Sequence, residues 1–191
     1  MNPTGIGAPV RRKEDQRFIT GAGQYTDDLN RPGQTHAVFL RSPHAHATLK
    51  AIDTRAAAKM PGVVAIFTGE DLAADKVGGL ICGWMIHSKD GSPMKAGPHP
   101  ALAQGKVRYV GDHVAVVIAE THAQARDAAE KIKVDYGVLP AVVDAGAAKA
   151  SKVEVHEVAP KNTVYEWEIG EKAKTDAAFK AEVEKLLAAG D

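Results

Sequence analysis

His44-Ala45-His46 sets two imidazoles two residues apart; on an extended strand both face the same side, a spacing that two ligands of one metal ion can use. No cysteine or further carboxylate stands near them at ligand spacing, so a structural role for the pair is the simpler expectation. His87 and His99 bracket a long loop, Gly78 to Pro100, rich in glycine, proline and histidine. Loops of that length in compact domains are functional or disordered, which makes both imidazoles candidates to touch a ligand or an interface. Cys82, the single cysteine, sits between Ile81 and Gly83. A nucleophilic thiolate needs an adjacent base that no local spacing supplies, so a buried, inert thiol is expected. A small independent enzyme would have to gather His87, His99 and Cys82 around one pocket. Trp84 and Met85 in the same loop, and Trp167 near the C-terminal end, lie outside recognisable core elements and are candidates for a partner interface or for packing within the chain. Gly111-Asp112 stands at a loop-to-strand junction, where glycine permits a tight or left-handed backbone and aspartate can bond neighbouring amides; a structural role is expected there. Gly21-Ala22-Gly23 lacks the third glycine and the following helix of a dinucleotide site. Asp27-Asp28 are adjacent, hence on opposite faces of an extended chain, and unsuited to paired acid-base work.

The elements that must carry these residues are legible from periodicity. Val114 to Ala119 is a continuous apolar run that suits a strand buried on both faces. Thr121 stands at an N-cap position with Gln124 three residues on, a capping-box spacing that satisfies unpaired first-turn amides. Ala125, Ala128, Ala129 and Ile132 then fall at helical spacing as a narrow stripe of mostly small residues, which lets a helix lie close to a sheet. Val134 and Tyr136 resume a strand that Leu139-Pro140 ends. Upstream, His36 to Leu40 and Ala47 to Ile52 are strand candidates separated by Ser42-Pro43. Thr54 can cap a brief helix from Arg55 to Met60, stopped by Pro61-Gly62 before a Val63 to Phe67 strand, and Thr68 with Asp71 predicts another short helical turn. Ala145 to Lys152 reads as a boundary, Val153 to Val158 as a short extended piece, and the end as a helix with Ala177, Phe179, Val183, Leu186 and Leu187 on one face over about three turns. No internal repeat is visible.

With 191 residues the chain can hold one domain with a core and an extended tail. Lysine plus arginine and aspartate plus glutamate both total 24, so there is no electrostatic case for nucleic acid or an anionic membrane. A single cysteine excludes an intrachain disulfide, the first residues, MNPTGIGAPVRRKEDQ, carry no signal-peptide apolar core, and no apolar run approaches the roughly 20 residues that cross a bilayer. A cytoplasmic location without membrane insertion is the expectation.

Four segments in fixed order carry a resemblance: RFITGAGQYTDDL from Arg17 to Leu29, LRSPHAHA from Leu40 to Ala47, PGV at Pro61 to Val63 followed by Thr68-Gly69-Glu70-Asp71, and VRYVGDHVAVVIA from Val107 to Ala119. Together they resemble the amino-terminal part of the molybdenum-binding large subunit of the xanthine dehydrogenase and aldehyde oxidase family, especially its carbon monoxide dehydrogenase-like branch, from about Gly5 to Phe179. The resemblance implies an α+β fold, the α/β hammerhead domain: a mixed sheet with short packing helices, plus an extended N-terminal arm and a C-terminal tail. It divides the chain into an arm (1–17), a hammerhead domain (18–148), and a linker with a terminal helix (149–191) leading towards a molybdenum-cofactor domain. In that family the longer carboxy-terminal part supplies the glycine-rich pterin-binding loops and the glutamate base. Neither can be carried over to a residue here, and Lys180 to Asp191 depart from the family pattern, which leaves a truncation, a split-gene subunit or a misread reading-frame end open. The implied role is therefore a non-catalytic portion with no catalytic, cofactor or metal residue of its own. It would support a molybdenum-cofactor domain or chain that holds molybdopterin cytosine dinucleotide, with 2Fe-2S and FAD on iron-sulfur and flavin subunits. Trp84, His87, His99, Gly111 and Asp112 remain as loop or interface candidates. The competing expectation is a free-standing binding or assembly module that shares the fold.

Overall fold

The computed structural model describes residues 7–189. Its centre is the apolar run itself: β5 (His113–Ala119) lies between β1 (His36–Arg41) and β3 (Val63–Thr68), antiparallel to both. Register puts Val38 and Ile66 beside Val117, and Phe39 and Phe67 beside Val116. Because side chains alternate across a strand, Ala115, Val117 and Ala119 share one face, where they are fully buried. That face is covered by α3 (His122–Ala129), whose Ala125, Ala128 and Ala129 join the same core with Ile132. Alanine is what allows this: with no side-chain bulk beyond Cβ, the helix sits close and loses no rotamer freedom. The helix starts where the spacing predicts, with Thr121 Oγ1 accepting from the Gln124 amide at 3.2 Å and Gln124 Oε1 accepting from the Thr121 amide at 3.0 Å.

The opposite face of this sheet carries Ala37, Phe39, Val116, Ile118, Ala65 and Phe67, and Phe39 and Phe67 remain 43% and 37% exposed. The strand expected to be buried on both faces is thus fully covered on one only, because a single helix packs against the sheet.

The second sheet joins β2 (Ala47–Asp53) to β6 (Lys133–Val138) and to the two-residue β4 (Lys106–Val107), all antiparallel. Ala47, Ala103, Val107 and Val114 form its core, and Ile52 and Val134 reach both cores, so the sheets share one interior. The α+β hammerhead architecture is as the sequence implies, with one correction: the strands form two antiparallel sheets and not one mixed sheet, since every hydrogen-bonded neighbour runs in the opposite direction.

Smaller elements follow local chemistry. The brief helix after Thr54 shrinks to one 3-10 turn, Ala57–Lys59. Thr68 caps α2 (Gly69–Ala74), its amide donating to Asp71 Oδ2 at 2.7 Å. Part of the expected arm, residues 1–6, lies outside the described residues; α1 (Asp15–Ile19) follows as a short exposed helix. Residues 153–158 form bends and a turn, not an extended strand. The predicted terminal helix is present as α4 (Lys172–Ala189) and buries none of its residues. No helix among the described residues is long and apolar enough to cross a membrane.

Candidate functional site

The Gly111-Asp112 junction organises a place where charged and titratable side chains converge. Gly111 has φ +91°, a left-handed conformation that costs a side-chain-bearing residue energy. Its amide donates to the Ser42 carbonyl at 2.8 Å, the Ser42 amide donates to the Asp112 carbonyl at 2.8 Å, and Arg41 Nη1 donates to the Gly111 carbonyl at 3.2 Å. The turn is thereby fastened to the end of β1. Asp112 Oδ2 accepts the Arg108 amide at 3.0 Å, which fixes how residues 108–112 leave β4.

Against this turn lie Gly97 to Pro100 and His156, enclosing a hollow of about 170 Å³ lined among others by His99, Lys106, Arg108, Tyr109, Asp112 and His156. Lys106 Nζ bonds Glu157 Oε1 at 2.6 Å, and Arg108 Nη2 bonds Glu157 Oε2 at 3.3 Å. Arg108 Nε also donates to the Val155 carbonyl at 3.0 Å. Lys106 holds the Glu157 carboxyl down at about 2. Burial first, then the neighbouring Arg108 charge, pushes the His156 imidazole below its usual value, while burial and then Asp112 push the Tyr109 hydroxyl up. At neutral pH His156 is therefore an uncharged imidazole. A Cβ at Gly97 would lie 2.5 Å from His156 Nδ1, so only glycine lets the loop backbone approach this closely.

Of the sequence candidates, His99, Gly111 and Asp112 belong to this region. Cys82 corrects the expectation of a buried thiol: it is exposed, because its loop runs over the surface. It lines a neighbouring hollow of about 420 Å³ together with His99 and His156, and His87 is not among the residues lining it. The trio a small enzyme would need is thus not assembled. His87 instead makes an isolated strand bridge with Pro93, forming a hairpin tied to the tail by Lys89 amide to Glu166 carbonyl at 2.8 Å and Lys95 amide to Val164 carbonyl at 3.0 Å. Trp84 meets Trp167 edge-on at 6.5 Å, and with Ile86, Met94 and Tyr165 they line a small cleft of about 140 Å³. The two tryptophans therefore pack within the chain while staying partly exposed.

The His44 and His46 pair also reads differently in three dimensions. Both sit in the bend before β2 and not on a strand. His44 packs edge-on against Tyr136 at 4.8 Å, whereas His46 is buried, with Nδ1 2.8 Å from the Pro140 carbonyl and Nε2 without a partner. Among the described residues no three potential ligands of the His, Cys, Asp and Glu types are grouped for a metal ion. Sequence reasoning missed Lys106, Arg108, His156 and Glu157, because the ion pairs join residues 51 and 49 positions apart. Only the spacing of Lys106 and Arg108, two residues apart on either side of the buried Val107, hinted that two cations share a side.

Comparison with known proteins supplies the context. The family described as "Aldehyde oxidase and xanthine dehydrogenase, a/b hammerhead domain" matches residues 20–140. The carbon monoxide dehydrogenase large chain of Afipia carboxidovorans is 38% identical over 94% of this chain and 22% of its own length. The nicotine 6-hydroxylase large subunit of Paenarthrobacter nicotinovorans is 40% identical over 73% of this chain and 16% of its own. Among solved structures, quinoline 2-oxidoreductase from Pseudomonas putida 86 superposes with a TM-score of 0.68 at 39% identity, over 76% of this chain and 18% of that one. The carbon monoxide reduced state of Cu,Mo-CO dehydrogenase gives a TM-score of 0.64 at 33% identity over 94% and 23%. The chain thus spans about a fifth of the length of these relatives. It belongs to the aldehyde oxidase and xanthine dehydrogenase family, of which it carries the α/β hammerhead domain.

Proposed function

We propose that this chain serves as the hammerhead portion of a molybdenum hydroxylase large subunit, supporting the cofactor-bearing part and subunit assembly without being catalytic alone. The observation that carries this is the match of 94% of the chain to 22% of a carbon monoxide dehydrogenase large chain. On this reading residues 18–148 are the domain proper, preceded by an arm at 1–17, and 149–191 lead towards the longer part of the subunit. That part holds molybdopterin cytosine dinucleotide, and iron-sulfur and flavin chains carry 2Fe-2S and FAD, all in the cytoplasm. On this reading the cofactor is held outside this portion, and no chemical step is assigned to this chain. The activity of the whole is oxidation or hydroxylation with water as the oxygen source.

Similarity over this portion does not point to one substrate, and on this reading the selecting residues lie mostly in the longer part of the subunit. Relatives named for carbon monoxide, nicotine and quinoline are 38%, 40% and 39% identical to it, so the same domain accompanies different substrates at equal distance. Carbon monoxide, an aldehyde, a purine and another N-heterocycle all remain compatible. The apolar outer face of the β1-β5-β3 sheet supports the reading, because a sheet face of this kind gains about 25 cal/mol for each Å² of apolar surface removed from water.

Native mass spectrometry with molybdenum analysis, on the chain recovered gently from its own cells, tests the proposal. Recovery bound to a longer molybdenum-containing chain is expected. Recovery alone and metal-free overturns it in favour of a free-standing binding module.

A further inference from the structure

We propose that Lys106 and Arg108 form a clamp for a small oxyanion, which enters the hollow beside His99 and His156 and displaces the carboxylate of Glu157. The existing contact shows the geometry: the two cations already grip the two oxygens of one carboxylate, at 2.6 and 3.3 Å. Lys106 and Arg108 are fixed and mostly covered, with side chains 24% and 19% exposed, whereas the Glu157 side chain is 66% exposed. The cations are thus held in place, Arg108 by its bond to the Val155 carbonyl, and the anion is the removable member. Glu157 can swing into water because the incoming oxyanion makes the same charge-assisted bonds to both cations, so that neither is left unpaired.

The lining favours negative charge. Lys106 and Arg108 bring an ammonium and a guanidinium to it, and Asp112, the carboxylate of the lining, already accepts the Arg108 amide. Charge-assisted bonds from an ammonium and a guanidinium are the strong ones for carboxylate, sulfate or phosphate groups. The groups facing His156 are Arg108, Glu157, His99 and Asp112, with Lys106 and Tyr109 on the same walls. Burial first, and then the Arg108 charge, hold the His156 imidazole below its usual value when the hollow is empty. A bound oxyanion favours the imidazolium, so affinity rises as pH falls through the depressed value of His156.

Sulfate is the probe of choice, because it does not titrate near neutrality. The full chain is titrated at constant ionic strength, and the imidazole Cε1 proton resonances are followed at pH 6 and pH 8. Expected are saturable shifts of His99 and His156, with binding about threefold tighter at pH 6. Glu157→Gln, which removes the resident competitor at an exposed position, is expected to tighten binding about tenfold, and Lys106→Gln to weaken it about tenfold. The tightening is a gain that a merely destabilised variant cannot imitate. A parallel acetate titration identifies the ligand shape: tighter sulfate assigns a tetrahedral group, tighter acetate a carboxylate. Shifts that do not saturate, or that are equal in wild type and both variants, overturn the proposal and leave Glu157 as a tether for residues 153–157.

Discussion

At the scale of single residues, two glycines separate two kinds of constraint. Gly111 has φ +91° with open space around its Cβ position, while Gly69 has ordinary φ but a Cβ there would meet the Ala103 carbonyl oxygen at 2.2 Å. Gly111→Ala therefore carries only backbone strain, about 1–2 kcal/mol. Gly69→Ala must move the backbone of a neighbouring loop, and is expected to cost more, about 3 kcal/mol. Chemical denaturation of both variants checks the order, and equal losses would show that the Ala103 loop gives way easily. His156 provides a pH prediction with a definite sign. Its folded value lies below the usual 6.5, so its stabilising contribution is complete above about 6.5 and is lost as pH falls through the folded value. The chain has two tryptophans, Trp84 and Trp167, which face each other across the seam between the long loop and the tail. Their fluorescence is expected to change as the pH is lowered from 7.5 towards 5 and the contacts at residues 153–157 loosen. A transition that survives unchanged in His156→Gln would assign it to another group.

At the scale of elements, α3 is held to the sheet by three alanines and started by one reciprocal cap. Thr121→Ala removes the oxygen that accepts the Gln124 amide, and a lost N-cap costs about 1 kcal/mol. Thermal unfolding should show that loss, with Thr121→Ser restoring most of it because the hydroxyl returns. This helix was legible in the sequence because capping and packing are both written within a dozen residues, and the same holds for Thr68 and Asp71 at α2. What was not legible is set by distant partners. The strand order β1-β5-β3 and the antiparallel direction of both sheets come from pairings such as His36 with Ala119, which no local period encodes. The candidate site divides in the same way. Gly111 and Asp112 were visible as a junction, and His99 as a loop imidazole. The clamp on Glu157 was not, since its residues occupy a strand and a tail with no spacing in common. The exposure of Cys82 was not legible either, because the lack of a neighbouring base says nothing about burial, and the loop that carries Cys82 and the exposed Ile81 runs over the surface.

At the scale of the whole molecule, the fold leaves a core finished on one side of the β1-β5-β3 sheet and open on the other. Phe39, Val116 and Phe67 stand abreast across three strands, with Ala37, Ile118 and Ala65 in the next row. Phe39 also stacks on His113 at 4.6 Å, so the rings are partly supported before any partner arrives. If this face packs against the remainder of a large subunit, replacing both rings with lysine has unequal effects on folding and on assembly. Within the chain alone, Phe39→Lys with Phe67→Lys gives up only the buried part of two rings, about 1–3 kcal/mol in all. Against an apolar partner the same change buries two unpaired ammonium groups, whose cost far exceeds the area lost. The isolated double variant is therefore expected to stay folded by circular dichroism and to bind less of an apolar dye than wild type. Co-produced with a longer molybdenum-bearing chain of the proposed kind, it should fail to assemble. Normal assembly by a folded double variant would place the partner on another surface and leave this face without a role in the complex.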